Sequence, residues 1–247
     1  MNMAQNIYDN PAFFAGYSQL PRQVHGLDGA PEWPTVRGML PDLAGKHVAD
    51  LGCGSGWASR WMREHGAASV LGFDLSQNMI ARATRDTADP AVEYRIADLE
   101  VLDLPEATFE LVFSALAFHY IADFGRLTRM VHKALTPGGD LVFTIEHPVF
   151  MAAVHPHWTL DEEGRKTWPV NGYSAEGERR TDWFAKGVVK HHRTLATTLN
   201  TLIGAGLNLR RVVEFAPTVD QIERMPELAE ELERPMLLLI SARKAKG

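Results

Sequence analysis

The sequence predicts an α/β protein built on an open, doubly wound sheet of seven strands. Three observations indicate this fold class. Short apolar segments alternate with amphipathic segments along most of the chain, a glycine cluster follows the first apolar segment, and glycines and prolines separate the segments. Strands that alternate with helices pair mostly in parallel through right-handed crossovers. Ligands of such sheets bind at the carboxyl ends of the strands, where the strand order reverses.

The predicted strands are short runs rich in β-branched, leucine and aromatic residues. They span residues 47–51, 70–74, 92–96, 109–115, 141–145, 209–215 and 236–242. Helices are predicted at residues 57–65, 77–87, 124–135, 195–205 and 219–233. Ser76 precedes the second helix as its N-cap, and the turn-forming run Pro137-Gly138-Gly139 ends the third. The strand at 109–115 is mostly apolar, which predicts burial on both of its faces.

The length of 247 residues fits a single domain, and we expect residues 1–247 to form one. Residues 1–45 are predicted to be an irregular cover, because prolines interrupt a segment whose aromatic residues need apolar surface to pack on. Residues 46–145 form the core of the sheet. Residues 146–190 interrupt the alternation as a long loop-like insertion, and residues 191–247 complete the sheet.

Composition and charge exclude several classes of protein. With 45% hydrophobic residues, the chain is not intrinsically disordered. A net charge of −6 argues against a nucleic-acid partner. No apolar run approaches the roughly 20 residues of a membrane-spanning helix, and the N-terminus shows no signal-peptide pattern. The single cysteine, Cys53, cannot form an internal disulfide or a cysteine-built zinc site, which fits a cytoplasmic protein.

The glycine cluster after the first strand predicts a ligand-binding loop. The run from Asp50 to Gly56 holds its glycines in a G-x-G-x-G spacing between a strand and a helix. Glycines allow a tight turn and a close approach of the backbone to a ligand, and free N–H groups at a helix start favour a negative group. Dinucleotide-binding proteins use G-x-G-x-x-G instead. Trp57 occupies the position of their third glycine, which disfavours a dinucleotide-dependent oxidoreductase.

Two acidic residues follow the next two strands. Asp74 ends the second strand, 22 residues after Gly52 (74 − 52), where a carboxylate can accept hydrogen bonds from both hydroxyls of a ribose. Asp98 follows the third strand, where it can accept a hydrogen bond from the amino group of adenine while Leu99 packs on the ring. Together with the glycine loop, these acids point to an adenosine-containing ligand.

These features resemble those of class I S-adenosylmethionine-dependent methyltransferases, of the broad type-11 group that acts on small molecules. The resemblance rests on the segments at residues 48–56, 72–76, 97–99, 109–116 and 135–141. It implies a Rossmann-like methyltransferase fold whose last strand runs antiparallel. It also implies S-adenosyl-L-methionine as the cofactor, S-adenosyl-L-homocysteine as the product, and in-line methyl transfer to a small-molecule acceptor.

The resemblance also assigns cofactor-binding residues within 46–145. It implies that Asp50 and the glycine loop hold the methionine part, that Asp74 binds the ribose, and that the strand end near Ser114 faces the sulfonium. The implied cofactor-binding residues are Asp50, Gly52, Cys53, Gly54, Asp74, Leu75, Met79, Asp98, Leu99, Ser114 and Ala115. A contact between Trp57 and the cofactor stays open.

Histidines and tyrosines supply candidates for the acceptor end. Histidine is the natural base near neutral pH, and His119 and His147 follow the fourth and fifth strands, whose ends should face the methyl donor. Glu146 is a third candidate, because it can orient a neighbouring histidine or bind a cationic amine. The predicted acceptor-binding residues are Tyr8, Tyr17, Tyr120, Tyr173 and His191. No spacing of histidines and acids indicates a metal site.

The positions of residues 1–45 and 146–190 beside the sheet predict that these two segments together close the acceptor site. Two other functions stay open. One is methylation of RNA or protein, against which stand the net charge and the lack of an Asn-Pro-Pro-Tyr-like run after the fourth strand. The other is a non-catalytic S-adenosylmethionine-binding module. The sequence leaves the acceptor, the methylated atom and the oligomeric state open.

Overall fold

The structure, a computed structural model, describes residues 5–246, so residues 1–4 and 247 of the predicted domain lie outside the described residues. Its strands are β1 (His47–Leu51), β2 (Ser69–Asp74), β3 (Val92–Ile96), β4 (Phe109–Ala115), β5 (Leu135–Glu146), β6 (Thr159–Leu160), β7 (Lys166–Thr167), β8 (Gly177–Trp183), β9 (Ala185–His192), β10 (Leu207–Glu214) and β11 (Leu237–Lys244). Seven of them form one sheet in the order β10-β11-β5-β4-β1-β2-β3. Strands β1 to β5 pair in parallel, whereas β11 runs antiparallel to both of its neighbours. The predicted doubly wound sheet, with its antiparallel last strand, is confirmed.

Helices cover both faces of this sheet. They are α1 (Pro11–Tyr17), α2 (Pro21–His25), α3 (Trp33–Arg37), α4 (Trp57–Glu64), α5 (Gln77–Arg85), α6 (Phe124–Ala134), α7 (Pro148–Ala152), α8 (Leu195–Gly204) and α9 (Val219–Arg224). Trp33 of α3 and Met62 of α4 belong to the apolar core on one face, and Leu127 of α6 and Leu202 of α8 to the core on the other. Within residues 5–246, no helix combines the length and the apolar character needed to span a membrane.

Local sequence signals set the elements that position the site. The bounds predicted for β1, β3 and β4 are those observed. Ser76 caps α5, because its hydroxyl accepts a hydrogen bond from the Met79 N–H (3.1 Å). Strand β1 pairs in parallel with both β2 and β4, so the carboxyl ends of these three strands lie side by side at one edge of the sheet. We expect a ligand at this edge.

The N-terminal cover is helical rather than irregular, so that prediction was wrong. Helices α1, α2 and α3 each carry a proline in the first turn, where a backbone N–H has no helical partner in any case. The Asn10 side chain caps α1 by accepting hydrogen bonds from two backbone N–H groups (3.0 and 3.1 Å). The prolines therefore start short helices instead of preventing them.

The insertion also has regular structure, which corrects the expectation of a long loop. Helix α7 is followed by two hairpins, β6–β7 and β8–β9. Strand β9 continues to His192, beyond the predicted end of the insertion at residue 190. Val188, Lys190 and His192 of β9 are buried, while the residues between them are less so. This alternation is typical of a strand with one buried face.

The fifth strand begins at Leu135 and not at residue 141. Its register against β4 is irregular, since Phe109 pairs with Leu135 but Leu111 pairs with Asp140. The irregularity accommodates Pro137-Gly138-Gly139 inside a strand, where a turn was predicted. A bulge of this kind leaves room for a proline, because the ladder of hydrogen bonds is already interrupted.

The last predicted helix, 219–233, is interrupted. Helix α9 ends at Arg224, and a 3-10 helix follows at Pro226–Leu232. A residue that precedes a proline is held away from the α-helical conformation, and Met225 accordingly has φ −137° and ψ 82°. Pro226 is the residue in the sequence that indicates this break.

Candidate functional site

A cavity of about 660 Å³ lies at the carboxyl ends of β1, β2 and β4. Three parts of the chain form its walls: the loops that follow these strands and β3, the N-terminal cover, and the β8–β9 hairpin. This is the sheet edge at which the strand order predicts a ligand. A volume of this size is typical of sites for small organic ligands.

Glycines in left-handed conformations fold the loop after β1. Gly52 has φ +79°, and a methyl group added there would collide with the side chain of Ala117. The N–H groups of Gly52 and Cys53 donate hydrogen bonds to the Phe73 carbonyl of β2 (2.7 and 2.9 Å). Gly54 has φ +53°, and open space lies where its side chain would be. The loop is thus anchored to β2 and leaves bare backbone toward the cavity.

Asp74, the last residue of β2, is oriented by backbone hydrogen bonds from two directions. Its Oδ2 accepts one from the Gly54 N–H and its Oδ1 accepts one from the Ser76 N–H (both 2.9 Å). Burial raises the pKa of this carboxyl, although the hydrogen bonds oppose the rise. Asp74 lines the cavity together with Leu75 and Met79. The two main-chain hydrogen bonds fix the orientation of its carboxylate there.

Asp50 and Trp57 line the cavity, and each has a buried polar atom without a hydrogen-bond partner among the described residues. Oδ2 of Asp50 accepts a hydrogen bond from the Ser59 hydroxyl (2.6 Å), but Oδ1 has no partner there. Burial, together with the nearby Asp74 carboxylate, raises the pKa of the Asp50 carboxyl to about 7. Nε1 of Trp57 is likewise buried and unpaired, and Trp57 lines the cavity. Buried polar atoms without partners are costly, and a polar ligand would satisfy them.

The loop after β3 supplies another wall. Asp98 and Leu99 line the cavity, and Oδ1 of Asp98 accepts a hydrogen bond from the Glu100 N–H (2.9 Å). Leu99 is 7% exposed and belongs to the sheet core. An acid beside a fixed apolar side chain suits the edge and the face of a flat heterocycle.

Three tyrosines form a further wall of the cavity. Tyr8 and Tyr17 come from the cover, and Tyr120 ends a 3-10 helix (Phe118–Tyr120) after β4. The hydroxyls of Tyr8 and Tyr120 are hydrogen-bonded (3.1 Å), and the rings of Tyr8 and Tyr17 meet edge to face with centroids 4.9 Å apart. Burial raises the pKa of all three phenols, so they are neutral at physiological pH.

The β8–β9 hairpin forms another wall of the cavity. It lines the cavity with Glu178, Arg180, Val189 and His191. Arg180 pairs with Glu178 (Nε to Oε1, 2.6 Å). Burial, and then the nearby Arg193, lower the pKa of His191, so its imidazole is neutral at neutral pH. The cavity wall therefore includes neutral phenols and a neutral imidazole.

Helix α2 contributes residues that the sequence did not indicate. Arg22 and Gln23 line the cavity. Nη2 of Arg22 pairs with Oε1 of the buried Glu32 (2.5 Å), and Oε1 of Gln23 accepts a hydrogen bond from the Ser55 hydroxyl (3.1 Å). The available signal, a basic residue after Pro21, does not distinguish an arginine in a cavity wall from one on the surface.

Most of the predicted cofactor-binding residues line the cavity: Asp50, Gly52, Cys53, Gly54, Asp74, Leu75, Met79, Asp98, Leu99 and Ala115. Of the predicted acceptor-binding residues, those that line it are Tyr8, Tyr17, Tyr120 and His191. Ser114 lies inside the sheet, where its hydroxyl donates a hydrogen bond to the Leu51 carbonyl (2.6 Å). The Tyr173 hydroxyl accepts a hydrogen bond from the Leu195 N–H at the start of α8 (3.1 Å).

His119 and Glu146 are not part of the cavity wall, because the insertion packs over them. Glu146 forms an ion pair with Lys190 of β9, and both side chains are largely buried. His119 is 3% exposed, and its Nδ1 accepts a hydrogen bond from the Glu146 N–H (3.4 Å). Burial lowers the pKa of the His119 imidazole to about 4. Neither side chain lines the cavity, whereas the neighbouring Tyr120 does.

His147, the other histidine predicted as a base, also lies outside the cavity wall. It is 2% exposed, and its Nδ1 accepts a hydrogen bond from the Val149 N–H at the start of α7 (3.1 Å). Its Nε2 then donates to Glu214 of β10 (2.9 Å). Within residues 5–246, no group of three or more His, Cys, Asp and Glu side chains is arranged to hold a metal ion.

Comparisons with known proteins find relatives over the core and over the whole chain. Residues 49–143 match the family model of a methyltransferase domain. An S-adenosylmethionine-dependent methyltransferase from Mesorhizobium loti is 57% identical with a TM-score of 0.86, over 89% of this chain and 100% of that one. A Listeria monocytogenes protein assigned to the same class is 41% identical with a TM-score of 0.80, over 87% and 98% of the two chains.

A curated relative with a named activity matches less than half of the chain. The malonyl-[acyl-carrier protein] O-methyltransferase of Pseudescherichia vulneris is 37% identical over 111 residues. The match covers 45% of this chain and 43% of that protein, so the chain spans less than half of that relative's length.

Proposed function

The chain belongs to the class I S-adenosylmethionine-dependent methyltransferases, and we propose that its cavity holds S-adenosylmethionine beside a small-molecule acceptor. The observation that carries the proposal is the pairing, in one cavity, of a bare glycine loop flanked by oriented acids with an end lined by neutral tyrosines. The acids suit the cationic, ribose-containing cofactor. The tyrosine end suits the molecule that receives the methyl group.

The residues of the cavity fit S-adenosylmethionine part by part. The unpaired Oδ1 of Asp50 would accept a hydrogen bond from the ammonium group of the methionine part. Arg22 reaches Glu32 through Nη2, and its guanidinium has further donors for the methionine carboxylate. Asp74 would accept hydrogen bonds from the ribose hydroxyls, and Asp98 and Leu99 would hold the edge and the face of adenine.

When bound, S-adenosylmethionine supplies a methyl group that its sulfonium activates. The chain's own residues then have to hold the acceptor in line, exclude water and remove a proton. Alignment of two reactants is worth about 7–11 kcal/mol. We assign the alignment to Tyr8, Tyr17 and Tyr120, whose neutral hydroxyls can donate to or accept from a polar acceptor. We assign the proton to His191, because its imidazole is neutral and lines the cavity.

A small acceptor fits this end better than a macromolecule does. The cover and the β8–β9 hairpin meet there, as the predicted closure of the acceptor site requires, and Gln5 joins them by hydrogen bonds. A total volume of about 660 Å³ has to hold the cofactor and the acceptor together. The net charge of −6 weakens binding to nucleic-acid phosphates.

Calorimetry with S-adenosylmethionine and S-adenosylhomocysteine tests the cofactor site. The wild-type chain should bind both, and Asp74→Ala should bind at least about 100-fold more weakly, because hydrogen bonds to a carboxylate contribute about 1.5–3 kcal/mol each. Asp103→Ala removes an exposed carboxylate outside the cavity wall and is the matched control. An affinity that Asp74→Ala leaves unchanged would remove Asp74 from the site.

A turnover screen tests the acceptor class. Formation of S-adenosylhomocysteine is measured with panels of small carboxylic acids, phenols and amines, and with tRNA and bulk protein for comparison. Turnover on a small molecule that His191→Gln abolishes, with cofactor affinity retained, supports the proposal. Turnover on tRNA or protein alone contradicts the small-molecule acceptor, and binding without turnover on any acceptor indicates a non-catalytic module.

A further inference from the structure

The N-terminal cover begins with a segment, residues 5–10, that we call the strap. Gln5, Asn6 and Tyr8 of the strap line the cavity. The strap extends from the β8–β9 hairpin to the start of α5, and hydrogen bonds hold it at both places. A ligand in the cavity therefore contacts a segment that is bound to two separate parts of the molecule.

Gln5 attaches the strap to β9 with both ends of its amide. Its Nε2 donates a hydrogen bond to the Gly187 carbonyl (3.0 Å), and its Oε1 accepts one from the Val189 N–H (2.9 Å). The pair resembles the exchange of hydrogen bonds between neighbouring strands. Val189 itself lines the cavity, so Gln5 joins the strap to the hairpin beside the acceptor end.

Asp9 attaches the strap to the start of α5. Its carboxylate accepts hydrogen bonds from the Ser76 hydroxyl (2.5 Å) and from the N–H groups of Gln77 and Asn78 (both 3.1 Å). The Ser76 N–H donates to Asp74, so Asp9 and Asp74 hold the same turn. Partial burial acts to raise the pKa of Asp9, but these hydrogen bonds lower it overall, and the carboxylate stays ionised at neutral pH.

Between these two attachments the strap rests on apolar side chains. Ile7 and Phe13 are buried with Val188 of β9, and Phe13 is fully inaccessible to solvent. Phe13 lies in α1, so the cover stays anchored beyond the strap. The attachments of Gln5 and Asp9 are different in kind, because they are polar and water can replace each hydrogen bond.

We infer that the strap is a latch in which Gln5 and Asp9 act as positioning residues that keep the cavity closed over a bound cofactor. The inference rests on the proposed function, because it takes the ligand to be S-adenosylmethionine or its product. Release of the product requires the latch to open, and the strength of the two attachments sets the rate of release. Asp9 also ties that closure to the turn that orients Asp74.

Rates of cofactor exchange test the latch in the full chain. Dissociation of S-adenosylhomocysteine is followed by stopped-flow tryptophan fluorescence, since Trp57 lines the cavity. Asp9→Ala should raise the dissociation rate constant about tenfold and Gln5→Ala about threefold, with smaller changes in the association rate constant. Asp9→Asn retains one acceptor oxygen and should fall between wild type and Asp9→Ala. Asp28→Ala, at an exposed site in the cover, should match wild type.

The outcomes separate the latch from the site it covers. Faster dissociation in Asp9→Ala and Gln5→Ala, with the melting temperature of the ligand-free protein unchanged, supports the latch. Unchanged dissociation in both variants overturns it while leaving the cofactor site intact. A lower melting temperature with no change in the dissociation rate assigns both residues to stability alone and overturns it as well. Failure of the wild-type chain to bind S-adenosylhomocysteine overturns the proposed function first.

Discussion

Two parts of the cavity wall are held in place by different interactions. At the carboxyl ends of β1 and β2, which we call the backbone-held end, main-chain groups hold the wall in place. The Gly54 N–H orients Asp74, and the Phe73 carbonyl anchors the glycine loop. In the part that contains Tyr8 and Tyr120, side chains from distant parts of the chain meet. The hydroxyls of Tyr8 and Tyr120 are 3.1 Å apart, although the residues are 112 positions apart in the sequence.

This difference indicates how one fold can keep its cofactor and change its acceptor. Geometry held by the backbone survives substitution of the surrounding side chains, so it suits a ligand that all members of a family share. Geometry held by side chains changes with each substitution, so it suits an acceptor that varies. The family model matches residues 49–143, which contain the backbone-held end and neither the cover nor the insertion.

The largest expected effect comes from breaking the ion pair that attaches β9 to β5. Glu146→Gln leaves the Lys190 ammonium, whose side chain is 6% exposed, without its counter-charge. Removing one partner of a buried ion pair costs about 3–5 kcal/mol, so the free energy of unfolding should fall by about that amount. Because neither Glu146 nor Lys190 lines the cavity, the affinity for S-adenosylhomocysteine should change by less than about threefold. Denaturant unfolding and calorimetry measure the two quantities.

A matched control is the exposed ion pair between Lys133 and Glu106. Glu106→Gln should lower the free energy of unfolding by less than about 1 kcal/mol, because exposed pairs contribute little. If Glu146→Gln were no more harmful than this control, the Glu146–Lys190 pair would not be what holds the hairpin. A large loss of cofactor affinity in Glu146→Gln would show that the two ends are coupled.

The next effect in size tests the backbone-held end. Gly52→Ala adds a methyl group that collides with Ala117, in a left-handed conformation. It should lower the free energy of unfolding by about 2–3 kcal/mol and cofactor affinity at least about tenfold. Gly45→Ala is the control, because Gly45 has φ +69° with open space at its Cβ position and lies outside the cavity wall. It should cost about 1–2 kcal/mol and leave affinity unchanged, so equal affinities in both variants would contradict a cofactor at the loop.

The backbone-held end was predictable from the sequence because its signals are local. Glycine spacing, the N-cap Ser76 and the acids at successive strand ends lie within a few residues of the structures they specify. Asp50, Asp74 and Asp98 all line the cavity as expected, since the carboxyl ends of parallel strands share one edge of the sheet. The strand–loop–helix pattern itself indicated the glycine loop, Asp74, Asp98 and Leu99, whereas Asp50, Leu75, Met79 and Ala115 came from the family resemblance.

The part of the wall formed by the tyrosines and the β8–β9 hairpin was less predictable, because long-range packing decides it. His119 and Tyr120 are neighbours in the sequence, yet His119 is covered by the insertion and Tyr120 lines the cavity. Which of the two side chains lines the cavity depends on where β9 packs, and no local sequence pattern specifies the position of β9. Arg22 lines the cavity and lies in the helix that Pro21 starts. The sequence pattern predicted an irregular chain at this position.

The smallest expected effect concerns the charge of Asp50 at the backbone-held end. In the folded chain the pKa of its carboxyl is about 7, whereas in the unfolded chain it returns to about 3.9. Between these pH values the folded carboxyl keeps a proton that the unfolded one has lost. The Asp50 contribution to the free energy of unfolding therefore falls as pH rises from about 4 to 7 and is constant above. Asp50→Asn has no carboxyl that must lose a proton in a buried site. It should therefore be about 1–3 kcal/mol more stable than wild type at pH 8, with a smaller gain at pH 4.

Binding should show the opposite preference, because a cofactor ammonium beside Oδ1 favours the ionised carboxylate. Affinity for S-adenosylhomocysteine should therefore rise with pH up to about 7, and binding at pH 6 should release close to one proton. Calorimetry in buffers of different ionisation enthalpy counts that proton. Asp50→Asn should abolish the release and weaken binding at pH 8, whereas Asp103→Asn should change neither. Proton release that persists in Asp50→Asn would place the titrating group elsewhere, and the extra stability of that variant would then have no counterpart in function.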